Sequence, residues 1–164
     1  MKTILLSVLL SVASLIIPTT VTFAQQSGEE TAIQQVLTRS FDAFGQRDLT
    51  GFSAYFVKSP DLFYQVYTIE GQLIVARGWE AMTHMVGNHM KNDPNDFKGK
   101  HSLSDFQIHV QGQMAWVNQT SRWELPGGVY KGSDFVVLQK QAGQWKIAAL
   151  ITQTYAEGKL VVVK

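Results

Sequence analysis

The stretch from Gly143 to Ala156, GQWKIAALITQTYA, decides how the rest of this 164-residue chain is read. In an extended strand successive side chains point to opposite faces. One face then carries Trp145, Ile147, Ala149 and Ile151, followed by Gln153 and Tyr155. Such a row either lines a cavity or fills a core, and its neighbours in the chain bear on which.

Immediately upstream, three more strand-like runs cover Leu103 to Val110, Met114 to Leu125 and Val129 to Lys140, with Gln144 to Tyr155 as the fourth. Gly112-Gln113, Pro126-Gly127-Gly128 and Ala142-Gly143 separate them, short turn signals suited to antiparallel hairpins. Further back, Trp79, Met82, Thr83, Val86 and Met90 recur at helical spacing and predict a helix stopping near Asn92-Asp93-Pro94. Before it, Asp61 to Tyr67 and Gln72 to Ala76 read as a hairpin turning at Glu70-Gly71. Asp48 suits the cap of a short helix with Leu49, Phe52 and Phe56 on one side, ending before Pro60. Ser27 and Glu30 form a capping-box pattern ahead of Ile33, Val36, Leu37, Ser40, Phe41 and Phe44, which predicts a first helix over Glu29–Gln46. Helices segregated from an antiparallel meander define an α+β domain.

The first residues read differently. Lys2 precedes a charge-free apolar run from Ile4 to Ile17, and Thr22-Phe23-Ala24 offers a small-residue cleavage site. Residues 1–24 are therefore expected to be an export signal rather than a membrane anchor, because Pro18 and two threonines interrupt the run too early for a span. The expected mature domain covers 25–157, with 158–164 as a tail or edge strand, and its location is secreted or periplasmic. Removing Lys2 turns 14 basic residues into 13 against 13 acidic ones. That balance recommends neither nucleic acid nor, after cleavage, a membrane as partner. With no cysteine the chain is held by packing alone.

The order of elements, together with FGQRDLTGF after the first helix, ARGWEAM opening the third and GQWKIAALIT in the last strand, resembles the nuclear transport factor 2-like superfamily, SnoaL-like branch. The resemblance implies a cone: a strongly curved antiparallel sheet wrapping a long N-terminal helix, with two further helices and a pocket at the open end. It also implies a homodimer formed through the outer sheet face. Enzymes of that superfamily place an aspartate base in the pocket with a hydrogen-bonding partner. Relatives often carry histidines where this chain has Ala149 and Ile151, so the commonest polar handles are missing here and Gln153 and Tyr155 remain on that row.

Asp134 shares a strand face with Tyr130, Val136 and Leu138, and with Glu124 it is the candidate acid. Burial would raise such a carboxylate toward neutrality. On Met114–Leu125 the row Ala115, Val117, Gln119, Ser121, Trp123 and Leu125 is the more core-like. Tyr55, Tyr67, Trp79, Trp116, Trp123 and Tyr130, with Gln153 and Tyr155, are the candidate ligand-binding residues, since Tyr and Trp join an apolar body to a polar tip. No metal or other cofactor is expected. His84 and His89 point about 140° apart on a helix, and His101 and His109 share a strand parity eight residues apart, so all four read as surface histidines. The leading expectation is a pocket for a small, largely apolar or aromatic ligand, without catalysis. The alternatives are an acid–base enzyme of the isomerase, hydrolase or cyclase kind using Asp134 or Glu124, and a dimeric association module.

Overall fold

Alternation on four long strands leaves each with one apolar face, and an amphipathic helix supplies the cover. The computed structural model describes residues 20–92, 101–125, 127–156, 158–161 and 163, with side chains from residue 27 onward. Helix α1 (Thr20–Gly45) precedes the one-turn helix α2 (Leu49–Ser53), strands β1 (Phe63–Tyr67) and β2 (Leu73–Arg77), helix α3 (Trp79–Asn92), and strands β3 (His101–Gln111), β4 (Met114–Leu125), β5 (Gly128–Gln141) and β6 (Gln144–Ala156). The six strands make one curved, unclosed sheet in the order β2-β1-β6-β5-β4-β3. The molecule is α+β, as expected.

The first helix is longer than its capping pattern suggests. It starts at Thr20, inside the segment expected as signal, and residues 1–19 lie outside the described residues. Ser27 does not cap it: its backbone is already helical, and its carbonyl accepts from Thr31 Oγ1 at 2.9 Å. The buried stripe is Ile33, Leu37, Ser40 and Ala43, which packs on the inner sheet face. Asp48 does cap α2, its Oδ1 accepting from the Gly51 amide at 2.8 Å. The helix ends at Ser53, so Phe56 sits beyond it and bridges to Ile147 instead.

Two corrections concern the sheet. Strand β1 pairs with β6 in parallel, Phe63 opposite Ala149 and Tyr67 opposite Gln153, so the sheet is mixed rather than antiparallel throughout. Parallel neighbours need a long crossover, and everything from β2 to β5 supplies it. The second correction is a pair of bulges. In β3 the register shifts between Ser104 and Gln107, with Asp105 at φ 57°; in β6 Ala148 and Ala149 together oppose Val137. A bulge adds a residue to one strand, bends it and reverses the parity beyond it.

In β6 that reversal changes the reading of the decisive stretch. Trp145 and Ile147 face the core, but Leu150, Thr152 and Thr154 follow on that face, opposite Val136, Asp134 and Gly132. Ala149, Ile151, Gln153 and Tyr155 turn to the outer face. In β3 His101, opposite Trp123, faces inward, while His109, opposite Trp116, faces outward, so the shared parity does not survive either.

The core is closed by Val117, Val136, Leu138 and Ile147, each essentially inaccessible. Glu29 ties α1 to the sheet, accepting from Lys140 Nζ and from Trp145 Nε1, the latter at 2.6 Å. The tail residues 158–161 and 163 form no strand, and Val161 and Val163 are 82% and 89% exposed.

Candidate functional site

Between α1, α2 and the inner sheet face lies a cavity of about 410 Å³. Its walls are mostly apolar and aromatic. Phe41 and Phe44 come from α1, Phe52 from α2 and Trp123 from β4. Trp123 anchors the aromatic wall, its ring 4.3 Å from Phe41, 5.7 Å from Phe44 and 5.3 Å from His101. The exposed lining residues Ile69, Glu70, His89 and Gly127 mark the open end.

Asp134 sits on the wall, 5% exposed. Its place on β5 follows from the strict alternation of Asp134, Val136 and Leu138, all buried. Three neutral donors surround its carboxylate. Gln119 Nε2 donates to Oδ2 at 3.3 Å, Ser121 Oγ donates to Oδ1 at 3.2 Å, and the Thr152 hydroxyl is the third. Gly132 makes room for them. A methyl group there would lie 2.9 Å from Asp134 Oδ1 and from Thr152 Cγ2, and closer still to Ser121 Oγ. Burial pushes the Asp134 carboxyl up to about 6, against the opposing pull of these hydrogen bonds. Buried Tyr64 stands beside it, its hydroxyl raised above the ordinary tyrosine range, first by burial and then by the Asp134 charge.

Of the residues singled out in the sequence, Asp134, Trp123 and Tyr130 line the cavity. The other seven do not. Glu124 lies on the opposite parity of β4 and pairs with Arg122. Trp116 is on the same outer face, stacked on His109. Tyr67 is exposed at the end of β1, and Tyr55 uses its backbone carbonyl to accept from the Ile147 amide. Trp79 packs beside α2, its Nε1 donating to the Ser53 carbonyl at 3.4 Å. Gln153 and Tyr155 are carried outward by the β6 bulge.

The sequence reading missed Thr152 and Tyr64, and His101, expected at the surface, faces inward, whereas His89 is exposed as expected. His89 lines the cavity and stacks on Phe44 at 5.9 Å. His101 is largely enclosed, its Nε2 3.0 Å from Asp42 Oδ1 and its ring packed on Phe41. Among the described residues no group of three His, Asp or Glu could hold a metal ion.

No protein-family model matches the chain, and no curated protein matches it significantly. Solved structures do. A nuclear transport factor 2-like protein of unknown function from Pseudomonas putida KT2440 superposes with a TM-score of 0.68 at 19% identity, covering 84% of this chain and 97% of its own. A protein of unknown function with a cystatin-like fold from Nostoc punctiforme PCC 73102 gives 0.65 at 15%, covering 80% and 95%. A protein of unknown function from Mycobacterium tuberculosis gives 0.64 at 22%, covering 81% and 75%. The chain therefore has the nuclear transport factor 2-like fold. At these identities the likeness is one of fold alone.

Proposed function

We propose that this chain is an exported binding domain whose cone receives a small, largely apolar molecule, oriented by a polar end at Asp134. One observation carries the reading: a cavity of about 410 Å³ walled by aromatic and aliphatic side chains holds, among the described residues, a single buried carboxylate. Binding sites for small molecules have this composition, an apolar wall for affinity and a few convergent polar groups for orientation. The purified protein is expected to release a bound compound in native mass spectrometry, or to give up an environment-sensitive dye to members of a panel of lipids, terpenoids and aromatic compounds. A protein that retains nothing and binds no panel member would end this reading.

The raised acidity range of Asp134 favours a second reading, that of a general base. A carboxylate near 6 is largely ionised at neutral pH yet basic enough to take a proton from a bound carbon or oxygen acid. Glu124 has no part in it, since it faces away. Protein-dependent deuterium exchange into carbonyl compounds, lost in Asp134→Asn, is the expected sign of this chemistry.

Export and self-association complete the proposal. The mature chain is expected to begin at Gln25, as N-terminal sequencing of the secreted protein would record. Trp116 and Phe135, each 38% exposed on the outer sheet face, support association of two copies there.

A further inference from the structure

The cavity lining is acidic, with His89 at its open end. Among the described residues its lining includes Asp134 and Glu70 but no lysine or arginine. No cation is paired with Asp134 among the described residues; its donors are an amide and two hydroxyls. A buried carboxylate without a paired cation is an expensive arrangement.

The acceptors left over are equally one-sided. A carboxylate offers about four lone-pair positions, of which three are taken here. Gln119 spends one of its two amide N–H donors on Asp134 and keeps Oε1 buried without a partner, in a side chain only 7% exposed. Both side chains line the cavity, so its polar end is richer in acceptors than in donors, and a ligand that brings donors complements it. A hydroxyl brings one; an alkylammonium brings three together with a charge. The remaining wall suits the body of such a molecule, because Phe41, Trp123 and Tyr130 bring aromatic side chains to the lining.

We infer that the cone selects organic amines: molecules with an aromatic or aliphatic body and a protonated primary amine that docks against Asp134 and Gln119. This inference rests on the binding reading above and narrows it to one ligand charge. Carboxylates of the same shape are rejected, since they would bring acceptors and a like charge to Asp134.

Three probes of one shape test it: 3-phenylpropylamine, 3-phenylpropan-1-ol and 3-phenylpropionate, titrated by calorimetry into the purified protein near neutral pH. The amine is expected to bind at least about tenfold more tightly than the alcohol, with the acid weakest. Asp134→Asn is expected to remove the amine preference, bringing the amine and the alcohol within about threefold of each other. Equal binding of amine and alcohol, or an acid that binds as well as the amine, overturns the inference while leaving an apolar binding site standing. Failure of all three, together with failure of the neutral panel, overturns the binding reading and this one with it. If Asp134→Asn does not fold, the ranking in the unmodified protein decides.

Discussion

Gln119 and Asp134 stand directly opposite each other on β4 and β5, joined by a hydrogen bond of 3.3 Å from Gln119 Nε2 to Asp134 Oδ2. Neither residue has a cation for company among the described residues, so the pair stays polar and buried on neutral donors alone.

Asp134 should make the fold less stable as the pH rises. Between its ordinary value of 3.8 and about 6 the folded chain holds the proton more tightly than the unfolded chain. Stability is therefore fully present below that window and lost across it, by up to about 3 kcal/mol. Asp134→Asn removes the ionisation and is expected to melt higher than the unmodified protein at mildly alkaline pH, with the gap closing toward pH 4. A gap that is the same at both ends would contradict the burial argument.

Thr152 should tune the same group. Its hydroxyl donates to the carboxylate and favours the charged form. Thr152→Val keeps the shape, removes the donor and is expected to raise the Asp134 titration midpoint further, by about one unit. Carboxyl carbon shifts followed through a pH titration report this directly; an unmoved midpoint would mean that Thr152 is not a donor.

Gly132 should not tolerate a side chain. Alanine there would press on Asp134, Ser121 and Thr152 at once, and is expected to cost about 1–3 kcal/mol in chemical denaturation. Gly28→Ala, with nothing within 4 Å, is the matching control and should cost nothing. Equal behaviour of the two would show that the strand relaxes around the new methyl.

Glu29 should matter at neutral pH and not in acid. Hydrogen bonds from Lys140 first and Trp145 second hold its carboxyl below the ordinary 4.5. Its contribution is present above that value and lost as the pH falls through the lower folded one. Glu29→Gln is expected to lower the urea midpoint near neutral pH by the equivalent of about 1 kcal/mol, a modest figure because the pair is partly solvated. The two proteins should converge in strong acid, and a difference that persists there would point to packing instead.

Much of the fold was legible in the chain. Element order, the apolar face of α1, the hairpin turns and the buried parity of Ala115, Val117, Gln119 and Ser121 follow from periodicity, because each depends on side chains a few residues apart. Asp134 was legible too, as a lone acid in an otherwise apolar alternating row. The rest of the candidate site was not, and the decisive stretch explains why. Alternation along Trp145, Ile147, Ala149, Ile151 and Gln153 is unbroken in the sequence, yet the strand carries a bulge opposite Val137. A bulge is set by how two strands and a helix fit together, not by the residues that form it. It turned Gln153 and Tyr155 outward and brought Thr152 beside Asp134. The sequence by itself determined which residues alternate and which helices cover them; only the tertiary structure decided on which side of the bulge each alternation counts, because a one-residue shift in pairing exchanges the two faces of a strand.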